Sequence, residues 1–255
     1  SLEDMSAAVK AAGEEARRLG IPLIVHATGL EEAKEALRAG AKLLVHSVDD
    51  QPVDQEFLDL ARGAGTVYCP TLTVMSGYER LLGGVVRRQA PAVDDPNGCV
   101  DAATRAKVAE TARVTPKPEE KLDEALLGRL AQRSAREGQT AAANLKKVLD
   151  AGIPVAMGTD AGNPLTLHGP SVYAEMEAMQ AAGLTPMQVL VASTRGGALA
   201  MGRDKEIGTV EKGKLADLLI VAGDPAADVA NLRKVRWVVR GGAMRPIAEL
   251  SALAK

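Results

Sequence analysis

The chain contains three histidines, and two of them close apolar runs of the same form, Leu-Ile-Val-His at 23–26 and Leu-Leu-Val-His at 43–46. Neutral imidazole is the commonest metal ligand, and two of them at neighbouring strand tips can reach one ion. Asp160, at the end of Val-Ala-Met-Gly-Thr-Asp, adds a hard oxygen that can ligate a divalent cation or accept a proton beside it. Each residue alone has a simpler reading. A histidine in an apolar strand is usually a satisfied core residue, and an aspartate in a glycine-containing loop is usually a turn residue. Two histidines in register with an aspartate on a third strand tip change the balance, and His26, His46 and Asp160 are the expected metal-site residues.

The elements that must carry them follow one repeating pattern: an Ala/Leu-rich helix, a glycine, then a short apolar strand. It recurs as EEARRLG-IPLIVHA, EEAKEALRAG-AKLLVHS, DQEFLDLARGAG-TVYCPT and AANLKKVLDAG-IPVAMGTD. Apolar residues three or four apart mark the helices, as in Leu145, Val148 and Leu149. Each glycine sits where a helix commonly ends in the left-handed conformation. Four units in series predict an α/β fold with a parallel sheet. An open doubly wound sheet would announce a glycine-rich phosphate turn, and neither G-x-G-x-x-G nor G-K-[ST] occurs after the first two strands. Polar residues instead end several strands, His26, His46, Thr71 and Asp160, which is where (β/α)8 TIM barrels place their chemistry. With His26 facing inward, Ile24 and Pro22 share its face, because side chains alternate along a strand.

Between the third and fourth strands, residues 72–137 form an insertion far longer than an ordinary barrel loop of roughly 2–6 residues. Its centre, QAPAVDDPNG, reads as loop, and its flanks, DAATRAKVAETARV and PEEKLDEALLGRLAQRSAREG, read as helices. It is either a lid or substrate wall over the active face or a peripheral helical hairpin. Two more helices are expected near Ser171–Ala182 and Thr185–Met201. IGTVEKGKLADLLIV and LRKVRWVVRGGAMRP then read as strands separated by glycine turns, a small β appendage. The expected domains are residues 1–202, part of a barrel, and 203–255, a β segment.

A formal net charge of −2 and 2% aromatic residues give no basis for binding nucleic acid, which calls for basic patches and stacking faces. Cys69 and Cys99 show no metal-site or disulfide spacing. No apolar run reaches the ~18 residues of a membrane span, and the first residues form an amphipathic helix rather than a signal sequence. The expectation is a soluble protein, cytoplasmic by default with export left open, acting on a small molecule, with homo-oligomerisation also open.

The segments IPLIVHA, AGAKLLVHS, CPTL, GTDAGNPLTLHG and GTVEKGKLADLLIVAGDPAADVANLRKVRWVVRGG together resemble the amidohydrolase superfamily, in its imidazolonepropionase-like and Xaa-Pro dipeptidase-like branch. The resemblance runs over nearly the whole chain. It implies that His26, His46 and Asp160 end the fifth, sixth and eighth barrel strands, and that the tail belongs to a β-sandwich. It further implies one or two divalent ions, zinc foremost, that activate water against an amide or amidine carbon, with Asp160 as proton carrier. With two ions, His26 and His46 hold one and Asp160 touches the other; with one ion, His26 and Asp160 bind it and His46 contacts water or substrate. His168 in TLHGPS becomes a substrate contact; Tyr68, Thr71 and Tyr78 are weaker ones, and Arg195 is assigned to a helix end or a carboxylate.

The sequence departs from the family pattern in lacking the H-x-H of the first strand and the lysine of the fourth. A truncated chain is therefore expected. The favoured substrate is a dipeptide or N-acyl amino acid, the second a cyclic amide or amidine. The non-enzymatic alternative is an inactive fragment or structural subunit.

Overall fold

The computed structural model describes residues 2–117 and 121–252. It is an α/β fold whose chain separates into two compact units, one of residues 1–72, 137–158 and 179–214, the other of residues 73–136, 159–178 and 215–255. The first unit repeats helix and strand as the periodicity predicts: α1 (Leu2–Leu19), β1 (Ile24–His26), α2 (Leu30–Arg38), β2 (Leu43–Val45), α3 (Gln55–Ala64) and β3 (Val67–Cys69). The strands form one parallel sheet in sequence order, with Ile24 opposite Leu43 and Leu43 opposite Val67. Gly20, Gly40, Gly65 and Gly152 all have positive φ, the conformation that ends each helix and turns the chain into the next strand.

The fourth expected strand is reduced to a single parallel bridge, Tyr68 to Val155. Tyr68 N donates to Pro154 O at 2.8 Å and Ala156 N to Tyr68 O at 2.9 Å, one rung of a parallel ladder. Pro154 has no amide hydrogen to extend the ladder from its own position.

Leu44, Val48, Val53, Phe57, Leu145, Val148 and Ile153 form the buried core of this unit. Asn144, also buried, secures the segment after β2: its amide donates to the carbonyls of Val48 and Gln51 and accepts from Val53 N, each at 2.9 Å. Pro22, Ile24 and His26, by contrast, are all exposed and share one face of β1, as alternation predicts.

The segment expected as an insertion contains α4 (Val74–Arg87), which its sequence pattern did not reveal, and α5 (Ala102–Glu110). α6 (Glu124–Asp150) then runs unbroken for 27 residues, so the insertion's last helix and the helix leading to Ile153 are one element. The expected start of that helix near Pro118 lies outside the described residues. α7 (Ser171–Ala181) and α8 (Pro186–Val191) follow; Thr185 and Gln188 form a reciprocal cap at the start of α8. The helix expected to Met201 is interrupted by a π-helical turn at Ala192–Gly196 before α9 (Gly197–Ala200).

In the second unit β4 (Leu218–Val221), β5 (Val235–Arg240) and β6 (Ala243–Pro246) form an antiparallel sheet, followed by α10 (Ile247–Leu250). Gly241 and Gly242, both at positive φ, close the β5–β6 hairpin. The register puts Leu218, Ile220, Trp237 and Met244 on one face, and all four are exposed. No described helix is long and apolar enough to cross a membrane.

Candidate functional site

β1 delivers His26 at its last position, opposite Val45, and β2 delivers His46 one residue further on. The two rings meet edge to face with centroids 4.5 Å apart. His46 has φ 78°, a conformation that costs a non-glycine residue on the order of 1–3 kcal/mol and persists only where its surroundings impose it. Here they do. His46 N donates to Cys69 O and Ser47 N to Pro70 O, both at 2.9 Å, and His46 Nδ1 lies 2.5 Å from the hydroxyl of Thr71. Thr71 is itself buried and at φ 48°. In the tautomer with the proton on Nδ1, Thr71 Oγ1 is placed to accept it and Nε2 is the acceptor nitrogen of the ring.

Asp160 stands in the second unit, also at positive φ, 54°. Asn163 Nδ2 donates to Asp160 Oδ2 at 2.8 Å and to Asp160 O at 3.0 Å, and Tyr78 in α4 donates its hydroxyl proton to Asn163 Oδ1 at 2.8 Å. Two further bonds tighten this loop, Gly162 N to Thr166 O and Thr166 N to Asn163 O, both 3.0 Å. His168 is exposed a few residues beyond.

Of the expected site residues, the structure brings His26 and His46 together. Tyr68 requires correction: it is 1% exposed, its ring packs edge-on to Phe57, and its hydroxyl accepts from Val48 N at 2.9 Å. Burial pushes its pKa up to about 12. It is a core residue of β3, because its bulk and its polar tip are both satisfied internally. Arg195 lies exposed in the π-helical turn, beside an apolar groove of about 370 Å³ that Met187, Val191 and Leu199 help to line.

Three polar residues were missed or undervalued. Sequence reasoning puts Thr71 at a strand tip and among the weaker substrate contacts without tying it to His46, and it assigns no role to Asn163, which lies in the same Asp-Ala-Gly-Asn-Pro run as Asp160. Glu175, fully buried, accepts from Thr73 N at 2.9 Å and Thr73 Oγ1 at 2.8 Å, at the N-terminus of α4. Its sequence signal is a glutamate flanked by Ala174 and Met176 in a largely apolar helix.

The imidazoles of His26 and His46 suit a divalent ion as two nitrogen donors from neighbouring strand tips. They do not complete a coordination shell: among the described residues no three His, Cys, Asp or Glu side chains gather closely enough to hold an ion.

Residues 2–244 match the model of the amidohydrolase family. Imidazolonepropionase of Shouchella clausii (strain KSM-K16) is 43% identical over 82 residues, 32% of this chain and 18% of that enzyme. The 5-methylthioadenosine/S-adenosylhomocysteine deaminase of Moorella thermoacetica is 40% identical over 86 residues, 31% and 20% of the two chains. Among solved structures, a Xaa-Pro dipeptidase with bound methionine superposes with TM-score 0.65 at 24% identity, covering 93% of this chain and 48% of that one. Ochratoxinase of A. niger superposes at 0.60 and 24%, covering 93% and 44%. The chain thus spans about half the length of these structures, which share its fold, and the matched stretches cover about a fifth of the curated enzymes. The chain belongs to the amidohydrolase family.

Proposed function

From membership of the amidohydrolase family, we propose that this chain is part of a metal-dependent hydrolase that cleaves a carbon–nitrogen bond. The observation that carries the reading is the His26–His46 pair, two imidazoles 4.5 Å apart at adjacent parallel strand tips. In this proposal β1, β2, β3 and the Pro154–Ala156 stretch are the fifth to eighth strands of a barrel, within residues 1–202. Residues 203–255 are then part of a β-sandwich. The exposed faces of β1 and of the antiparallel sheet support it, since both are apolar surfaces of the kind that another sheet or strand covers.

His26, His46 and Asp160 are the proposed ligands of a divalent ion, zinc foremost, and the ion when bound lowers the pKa of water and polarises the scissile group. His46 Nε2 faces ion, water or substrate, while Thr71 holds the opposite nitrogen. Asp160 takes a proton from the attacking water and returns it to the leaving nitrogen. His168 contacts the substrate. The favoured substrate is a dipeptide or N-acyl amino acid, supported by the dipeptidase-like fold. A cyclic amide or amidine is the second reading, supported by the sequence likeness to imidazolonepropionase.

The test is zinc content and turnover of the purified chain against dipeptides, N-acyl amino acids and a cyclic amide. The wild type is expected to bind zinc and to turn over one class, and His26→Ala to lose both. Zinc content equal in wild type and His26→Ala, or turnover that survives the substitution, overturns the proposal.

A further inference from the structure

We propose that Asn163 and Tyr78 are positioning residues that fix the direction of the Asp160 carboxylate. The inference rests on Asp160 being the proton-carrying carboxylate of the site. A carboxylate only accepts hydrogen bonds, so the Asn163 side chain must turn its NH2 toward Asp160 Oδ2, as it does at 2.8 Å. That choice points the Asn163 carbonyl the other way, where it needs a donor. The Tyr78 hydroxyl supplies one at 2.8 Å. The polarity of the relay is therefore fixed from end to end: Tyr78 donates to Asn163, and Asn163 donates to Asp160. Without the hydroxyl, the amide loses the contact that specifies its orientation, and its bonds to Asp160 are made only part of the time.

The chain has a device for bringing Tyr78 there. Gly77 packs directly on the carbonyl of Pro164, and a Cβ at this position would enter that oxygen's van der Waals envelope. Only glycine lets the start of α4 approach the 163–164 backbone this closely. Asp160 is meanwhile in a left-handed conformation that its own residue type does not favour strongly, and the second bond from Asn163, to Asp160 O at 3.0 Å, opposes its relaxation. Tyr78 and Asp160 are both exposed, so breaking the relay leaves the core intact and disturbs geometry alone. Proton transfer demands that geometry: displacing a reacting group by about 1 Å costs on the order of 100-fold in rate.

The experiment compares Tyr78→Phe, Asn163→Ala and Gly77→Ala with wild type in two readouts. In the metal-free, 15N-labelled chain, the Asn163 side-chain NH2, assigned by its disappearance in Asn163→Ala, is expected to show two widely separated proton shifts. Tyr78→Phe and Gly77→Ala bring them together. In the zinc-loaded chain, Tyr78→Phe and Asn163→Ala are expected to lower kcat by roughly 10- to 100-fold while KM stays within about 3-fold. An Asn163 amide pair unmoved by Tyr78→Phe overturns the relay. A kcat unchanged in both variants, with the amide signals altered, overturns the positioning role. A wild type inactive on every substrate counts against the hydrolase reading and leaves the relay to be decided by the amide signals.

Discussion

His46 and Asp160 face the same mechanical problem and are held in different ways. Both are non-glycine residues at positive φ, 78° for His46 just after β2 and 54° for Asp160 in the loop that follows the Val155 bridge. His46 is held from the neighbouring strand, through backbone bonds to Cys69 and a ring bond to the buried Thr71. Asp160 is held from its own loop and from α4, through side chains that water reaches. A buried support couples the site residue to the stability of the sheet. A solvent-facing relay can set direction at little cost to stability, because a surface hydrogen bond exchanges with water almost evenly.

The sharpest test of the buried support is Tyr68, the β3 residue whose hydroxyl receives the Val48 amide two residues after His46. Tyr68→Ala removes a fully buried ring and is expected to cost about 3–5 kcal/mol. Tyr68→Phe keeps the ring but strips the Val48 amide of its acceptor, for about 1–3 kcal/mol. Urea denaturation measures both. If Tyr68→Phe instead leaves stability unchanged and raises KM, Tyr68 is a substrate contact after all and its core assignment fails.

Next in size is Thr71→Val, a near-isosteric change that removes the oxygen facing His46 Nδ1. The expected loss is about 1–3 kcal/mol, accompanied by a shift of the His46 imidazole toward mixed tautomers in its 15N spectrum. Thr71→Ser restores both. An unchanged tautomer in Thr71→Val shows that the threonine does not orient the ring.

Much of this scaffold was legible in the sequence because it is local. The helix-ending glycines, the apolar strands and the shared Leu-x-Val-His form place His26 beside His46 from spacing and parallel order alone. Tyr68 reads as a substrate contact for a physical reason: a tyrosine near a strand tip looks amphipathic, and only the fold shows that Val48 and Phe57 satisfy both of its halves. The relay to Asp160 was illegible because Tyr78 and Asn163 are 85 residues apart, joined by a helix that the apolar pattern did not reveal. Likewise, residue type makes His46 and Asp160 only candidates for positive φ, and it is the bonds around them, formed by the fold, that impose it.

The smallest expected effect is electrostatic, and it concerns the helices of the first unit. The Lys34 side chain in α2, only 5% exposed, bonds Asp54 at 2.6 Å, Glu56 at 3.0 Å and Glu31 at 3.1 Å, tying α2 to the start of α3. The ammonium group holds Asp54 and Glu56 below the usual carboxylate range, aided at Asp54 by the Phe57 amide and at Glu56 by Arg38. Asp54 first, and then Glu56, in turn raise the pKa of Lys34. Carboxylates whose pKa falls on folding contribute stability above their unfolded values, about 4, and lose it as pH falls through the folded ones. A lysine whose pKa rises contributes below about 10.4 and loses it as pH climbs through the folded value. Stability from this cluster is thus fully present between about pH 5 and 10 and declines on both sides. The carboxylates are about half exposed, so solvent screens them and the decline is shallow. Calorimetric Tm against pH should show a shallower acid limb in Lys34→Met than in wild type. Hydrogen exchange of the α2 and α3 amides should accelerate below pH 4 in wild type more than in the variant. Parallel acid limbs would remove Lys34 from the support of the histidine-bearing strands, leaving packing and Thr71 to hold them.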